Sequence, residues 1–552
     1  MGKKALRILF IFLSGMVAAL PVSFTQLSAF AFVSFVPALL LLFPDLLAPA
    51  LPRRPRAYYG YGMAFCMGYF MVTFHWFISL YPLDFVTGMT PLMAVAVILA
   101  ACIGLPLLQS VGFAFLFYIM AWLSRTRLVR RLPLLLPFLF AGGWVTLAYT
   151  QTLTWAGVPW GAQLALSQHQ NLLVVSSASL FGSYFVTFVI ASVNACLAYA
   201  WLAKGRGQLR SERIMAFLAL GIFLLNYALG AAVYYTPKQT SGTVKAAVLQ
   251  GNVSSAEKWS GQIDAISVYR HLALAAAEDG AEIIVWPETA LPYNLAGDSY
   301  AMASVRLIAR EANAVQIIGS YSYETGELGE LLRHNSLYLI YPDGTVSKTL
   351  YHKQHLVPFG EYVPMEGLIR TLLPFLSDLE MLKDGSTMVP GDKPTLFETA
   401  HGRLGGLICF DTIYEELARK SVAAGAELLV IGTNDSWFLD SAAVYQHNGQ
   451  AVLRAIENGR AVLRAANTGI SSIITERGEV LCYLEPLVDG HLTTEVTLST
   501  QKTLYTMIGN SFVLLCALGF HAPALVALGE LLLKKIKKPK GETHEHTRTG
   551  SA

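Results

Sequence analysis

Hydrophobic and polar positions fall into two textures along this chain. In the first, charge disappears over long stretches: residues 8–43, 57–83, 85–124, 132–203, 214–237 and 503–529 contain no Asp, Glu, Lys or Arg. Such blocks are what a hydrocarbon layer about 30 Å thick demands of helices that cross it. Block 8–43 is too long for one crossing and is interrupted near Pro21 and Gln26, which predicts two helices joined by a tight turn. Block 132–203 predicts two more, divided by the polar, Trp-rich stretch TQTLTWAGVPWGAQLALSQHQN (150–171).

The second texture lies between Lys238 and Lys502, where charges return and short β-branched runs alternate with amphipathic segments. Strands are predicted over 244–253, 281–289, 314–323, 336–346, 403–410, 427–435 and 470–485, with PDG and ERG as hairpin turns. Helices are predicted at AISVYRHLALAAAEDGA (265–281), EELARKSVAAGA (415–426) and QAVLRAIENGRAVLRAA (450–466). Strands alternating with helices favour a layered α/β enzyme fold over a β-sandwich.

Flanking charge sets the topology. Basic clusters occur at Lys3, Lys4 and Arg7; at Arg53, Arg54 and Arg56; at Arg125, Arg127, Arg130 and Arg131; at Lys204, Arg206, Arg210 and Arg213; and from Lys534 to Lys540. The loops near 23–28, 81–91 and 150–171 have neither Lys nor Arg. The positive-inside rule places every cluster in the cytoplasm if 85–124 crosses once. The expectation is a multi-pass α-helical bundle of eight spans with both termini cytoplasmic: 1–237 with seven spans, an extracytoplasmic α/β domain over 238–502, a last span over 503–533 and a basic cytoplasmic tail over 534–552. The N-terminus resembles a cleaved signal peptide, but its continuation into further apolar spans reads as an uncleaved anchor.

Composition agrees with a membrane protein: of 552 residues, 54% are hydrophobic and 14% charged. A net charge of +3, with no Gly-rich phosphate loop or basic-aromatic stripe, argues against nucleic acid as a partner. Six cysteines without a CxxC pair suggest neither a zinc site nor a disulfide framework.

Open α/β sheets usually carry reactive groups just beyond strand ends. Three residues stand there or in an adjoining loop: Glu288 after IIVWP, Lys353 in YHKQHLVPFGEYVP and Cys409 at the end of GGLIC. Singly, each has an ordinary explanation: a turn-capping carboxylate, a solvated loop lysine, a small buried hydrophobe. Together they supply the proton acceptor, cation and nucleophile that acyl transfer through a thioester requires.

The runs WPET, KQHLVPFGEYVP and LICFD, in that order, resemble the Glu-Lys-Cys triad of the carbon-nitrogen hydrolase (nitrilase) superfamily, whose domain is an α-β-β-α sandwich. With the membrane spans, QGN (250–252), Lys258 and Trp259, TNDSWF (433–438), RAANTGIS (464–471) and TLY (503–505), the whole resembles its membrane branch, the bacterial apolipoprotein N-acyltransferases. The resemblance implies a ping-pong reaction in the cytoplasmic (inner) membrane that needs no metal or organic cofactor. Cys409 would take an acyl chain from the sn-1 position of a phospholipid such as phosphatidylethanolamine. It would pass the chain to the N-terminal amine of a diacylglyceryl-modified apolipoprotein. Glu288 would act as base and Lys353 would stabilise each oxyanion, with the ammonium raising the thiolate fraction. Glu361 resembles a second family carboxylate, positioning Lys353 or the amine; a loop-holding salt bridge is its other reading. Trp259 resembles a tryptophan near the acyl site and reads equally as an interfacial anchor. After the nucleophile the family commonly has Tyr-Glu; here Phe410 and Asp411 stand in that supporting place. His352 and His355 flank Lys353 but have no third ligand apparent for a metal. The loop 150–171 is a candidate lipid portal, or a seal for the bundle. A monomer suffices for this scheme. A membrane-anchored amidase acting on a lipid-linked amide and a non-catalytic membrane protein are the alternatives.

Overall fold

The computed structural model describes residues 2–46, 55–83, 89–153, 159–254, 264–327, 329–358, 360–367, 371 and 388–536. Among these, six helices are long and apolar enough to cross a membrane: Lys3–Ser23, Thr25–Pro44, Pro91–Leu123, Pro133–Leu153, Ser183–Gly205 and Leu209–Tyr235. Helices Pro55–Thr73 and Ser511–Ile536 pack with them. Residues 91–123 form one continuous helix despite Pro106. Helices Lys3–Ser23 and Pro55–Thr73 meet almost backbone to backbone: a Cβ on Gly15 would lie 2.0 Å from the Phe65 carbonyl oxygen, and one on Gly68 2.1 Å from that of Phe12. Reciprocal glycines of this kind are a common way for helices to associate in hydrocarbon, where apolar burial drives nothing. Phe35, Phe65, Tyr69 and Phe113 ring Trp144 at the bundle centre. Leu92, Trp201 and Phe217 instead face outward.

The α/β region contains two sheets. The first runs β13-β1-β2-β4-β5-β6, with β3 beside β4. Its strands are β1 (Gly242–Gln250), β2 (Ile283–Val285), β3 (Leu291–Asn294), β4 (Val315–Thr325), β5 (Leu331–Ile340), β6 (Tyr351–His352) and β13 (Gly490–Leu498). The second runs β12-β11-β10-β9-β8-β7, from β7 (Leu396–Thr399), β8 (Gly402–Ile408), β9 (Leu428–Thr433), β10 (Val462–Ala466), β11 (Ser471–Ile474) and β12 (Val480–Leu484). Val248, Ile283, Val285, Leu337 and Leu339 of the first sheet meet Leu404, Leu428, Val430 and Leu463 of the second. Helices Ala265–Glu278 and Ser299–Ala312 cover the outer face of the first sheet. Helices Glu415–Ala424 and Ala442–Asn458 cover that of the second, and their apolar residues run on into the core of the bundle. The layers are α-β-β-α, and one helical layer doubles as the seat on the membrane helices.

One expected element is divided. The stretch 450–466 is not one helix: it ends at Asn458, Gly459 turns left-handed at φ +59°, and the chain restarts as β10. A fully buried apolar strand carries no period of its own, so VLRAA extends a helical pattern as readily as it makes a strand. Arg460 stabilises the break, its guanidinium donating to the carbonyls of Ala426, Asn458 and Gly459. The ERG turn is as expected, with Gly478 at φ +88° between β11 and β12.

Candidate active site

Glu288 follows β2 in the turn Trp286-Pro287-Glu288. That turn leans on Gly319 of β4, where a Cβ would lie 2.1 Å from the Pro287 carbonyl oxygen and 2.8 Å from the Glu288 Cα. Only glycine permits this approach. The buried Glu288 carboxylate accepts from Lys353 Nζ at 3.1 Å, Asn335 Nδ2 at 2.7 Å and the Asn434 backbone N–H at 2.8 Å.

Lys353 follows β6, its backbone N–H bonded to the Asn335 carbonyl at 2.9 Å. Its buried ammonium reaches Glu361 as well as Glu288, at 2.9 Å. Burial lowers its pKa, but Glu288, Glu361 and Cys409 together outweigh this and hold it well above the ordinary lysine value. Asn335, which the sequence reading missed, ties the two carboxylates together from β5, donating at 2.7 Å to Glu288 and 3.0 Å to Glu361. The available signal was its parity: Asn335 shares the strand face of Leu337 and Leu339, where a polar side chain needs a buried partner.

Cys409 ends β8 at φ +48°, in the left-handed region, and opens a 3₁₀ turn through Ile413. A non-glycine residue held there is a strained nucleophile-bearing turn of the kind found at reactive sites. Cys409 as a residue is half-buried. Burial raises its pKa, Glu288 and Asp435 add to that, and Lys353 and a hydrogen bond from Thr433 oppose it without prevailing. The expected thiolate-enriching effect of Lys353 is therefore real but outweighed. The balance of these influences favours the protonated sulfur.

Asp411 is fully buried and works behind this turn rather than on a substrate. Its carboxylate accepts from the Tyr351 hydroxyl at 2.8 Å and from the backbone N–H groups of Gln354 (3.2 Å), His355 (2.8 Å) and Ile408 (3.1 Å). It thus fastens the lysine-bearing loop to the cysteine-bearing strand. Burial raises its pKa to about 7. Phe410 is buried, edge-on to Tyr414 at 5.5 Å.

A second missed network lies behind β9. Asp435 accepts from His447 Nδ1 at 2.8 Å and from Arg464 at 2.7 Å, and His447 Nε2 faces the Cys409 carbonyl oxygen at 3.1 Å. One ligand atom each of Cys409, Asp435 and His447 lies within 4.8 Å of the others. These atoms do not fit a metal, since Arg464 and His447 already occupy the carboxylate. Trp160, from loop 150–171, stands 5.7 Å from the His447 ring and packs with Trp76 and Phe438, so bundle aromatics reach the site. His355 leaves it, stacking on Tyr414 at 3.7 Å. Lys258 and Trp259 lie outside the described residues.

Residues 245–504 match the family model for carbon-nitrogen hydrolase, and residues 14–196 that for the apolipoprotein N-acyltransferase N-terminal domain. An apolipoprotein N-acyltransferase of Geobacter metallireducens is 32% identical over 81% of this chain and 86% of its own length. The chain belongs to the apolipoprotein N-acyltransferase family. Family relatives from Nostoc sp. (31% identical, covering 67% of this chain and 72% of the relative) and Shewanella oneidensis (28%, covering 92% and 93%) extend the likeness across both regions. As a member of this acyltransferase family the protein is an enzyme, and the Glu288, Lys353 and Cys409 cluster lies within its hydrolase-like region.

Proposed function

We propose that this enzyme moves a fatty acyl chain from the sn-1 position of a membrane phospholipid, such as phosphatidylethanolamine, to the N-terminal amine of a diacylglyceryl-modified apolipoprotein. The observation that carries the assignment of residues is the Lys353 ammonium, shared by Glu288 and Glu361 and within Coulombic reach of a cysteine on a strained turn. Attack begins with transfer of the sulfur's proton to Glu288. Sulfur bonds to the ester carbonyl carbon, the carbon–oxygen bond breaks, and Glu288 returns the proton to the departing lysophospholipid oxygen. In the second half the acceptor amine attacks the thioester, Glu288 takes the amine proton, the carbon–sulfur bond breaks, and the proton goes back to sulfur. Lys353 offsets the negative charge on the carbonyl oxygen in both tetrahedral intermediates. Glu361 and Asn335 hold the ammonium in place, and Asp411 holds its loop. Trp259 and Phe410 are assigned to the acyl-binding surroundings.

Both substrates live in a bilayer, so the proposal includes the topology that lets them arrive sideways. Eight helices cross: the six named above as long and apolar enough to do so, together with Pro55–Thr73 and Ser511–Ile536. Residues 1–237 carry seven of them, 238–502 form the catalytic domain outside the cytoplasmic membrane, and 503–533 return the chain to a basic cytoplasmic tail at 534–552. The placement of Lys and Arg on one side of these helices supports it. The aromatic group of Trp76, Trp160 and Phe438 lies along the path of the acyl chain, and a single copy of the chain suffices.

The test is incubation of purified protein with phosphatidylethanolamine and a diacylglyceryl peptide. Amide product is the expected result. Free fatty acid without amide overturns the proposal in favour of a hydrolase. Replacement Lys353→Met is expected to lower the transfer rate by about 10²–10³, the usual effect of removing an oxyanion partner.

A further inference from the structure

Strands β4, β5 and β6 carry more chemistry than the acyl-transfer site uses. Cross-strand partners Ser322 and His334, and Ser336 and His352, put these residues and Glu324 on one face of the first sheet. Asn335 and Lys353, the next residues in sequence, point to the opposite face, toward Glu288. The two histidines are therefore back to back with the catalytic cluster.

Their geometry is that of imidazoles prepared for a cation. His334 Nδ1 donates to the Val389 carbonyl at 2.8 Å, which leaves Nε2 with its lone pair. That Nε2 is buried without a hydrogen-bond partner among the described residues, and the residue is only 5% exposed. His352 Nδ1 is held by the Ser336 hydroxyl at 2.8 Å, which itself bonds Ser322 at 2.7 Å. Such hydrogen bonds on the far ring nitrogen are how metal-binding histidines are oriented. The Glu324 carboxylate stands 3.9 Å from His334 Nε2 and 3.3 Å from His352 Nε2. Ligands about 2.0–2.1 Å from a tetrahedral zinc stand about 3.3 Å from one another; the His352–Glu324 edge, to Oε1, is already at that spacing, while the His334 edge, to Oε2, is longer, so the exposed Glu324 side chain must swing inward for one oxygen to serve both. The exposed Asp392 carboxylate lies within electrostatic range of His352, so two acids face the pair and a divalent charge balances them.

We propose that His334, His352 and Glu324 form a binding site for a divalent transition-metal ion of the zinc type, open to solvent on the Glu324 side. The third ligand that His352 lacks in its own loop comes from the neighbouring strands. An ion here ties together the three strands that present Asn335 and Lys353, and so couples metal availability to the rigidity of the acyl-transfer site.

The test uses full-length protein purified in detergent with a histidine-free tag, stripped with chelator and dialysed against Zn²⁺. One tightly bound ion per chain is expected for the wild type and for Cys409→Ala, with affinity at least about tenfold weaker in His352→Ala and Glu324→Gln. Glu324 is a surface residue, so Glu324→Gln decides the matter should the histidine variant fail to fold. No stoichiometric binding by the wild type overturns the proposal, as does unchanged affinity in Glu324→Gln. Binding that vanishes in Cys409→Ala also overturns it, because the ion would then sit on Cys409, Asp435 and His447.

Discussion

Asp411 and Asp435 are both fully buried beside Cys409, one on the turn that follows it and the other just past the neighbouring strand β9, yet they are held in opposite electrostatic states. Asp411 has hydrogen bonds from a tyrosine and three backbone N–H groups but, among the described residues, no direct cation, and burial lifts its pKa to about 7. Asp435 suffers the same burial, but His447 and Arg464 more than cancel it and hold the carboxylate well below the usual range. Burial alone therefore does not decide the charge of a carboxylate; the partners it is buried with do. The lysine-bearing side of the site is fastened by an adjustable clamp, and the β9 side by a permanent anion.

The harshest way to break this contrast is Asp435→Asn, which strands the Arg464 guanidinium in the interior. A loss of about 3–5 kcal/mol is expected, read as a lowered midpoint of thermal or denaturant unfolding in detergent. Removing the smaller partner with His447→Ala leaves the Asp435–Arg464 pair and should cost about 1.5–3 kcal/mol, together with slower acyl transfer as the Cys409 turn loses the ring packed against its carbonyl. Asp411→Asn comes next, at about 1–2 kcal/mol near neutral pH.

The last variant also has a pH signature. The folded-state pKa of Asp411 is above its unfolded value, so its protonated form stabilises the fold at low pH. That stabilisation is lost as pH rises from about 4 to about 7. Asp411→Asn should flatten the fall in melting temperature over this window, leaving the part due to Glu415, which burial also raises to about 7. Asp435 contributes with the opposite sign, being stabilising above the ordinary aspartate pKa and losing this as pH falls, so Asp435→Asn should weaken acid sensitivity. The smallest effect belongs to Phe410→Tyr, which adds a hydroxyl to the ring. Its ring is packed edge-on to Tyr414, and a change within about 1 kcal/mol in stability is expected.

Much of this was legible in the residue pattern. Charge-free blocks of helical length and alternating β-branched runs are strong signals, and the WPET, KQHLVPFGEYVP and LICFD runs lie where the fold brings their ionisable groups together. Short elements were harder to read. β3, β6 and β7 have two to four residues each, too few for a period, and β10 was read as helix because both of its faces are buried. The networks around the cysteine were hidden for a different reason. Asn335, Asp435, His447 and Arg464 are distant in sequence, and each is an ordinary polar residue until β5, β9 and β10 are laid beside their neighbours. Arg454, Arg460 and Arg464 are all fully buried, although all three lie in a stretch that reads as one amphipathic helix.

The most direct measurement is the intact mass of the enzyme after exposure to phospholipid alone, without acceptor, followed by peptide mapping. An added acyl mass on the Cys409 peptide, labile to hydroxylamine, absent in Cys409→Ala and discharged by a diacylglyceryl peptide, is the predicted result. An acyl group on any other residue, or acceptor product formed at the wild-type rate by Cys409→Ala, would contradict the account.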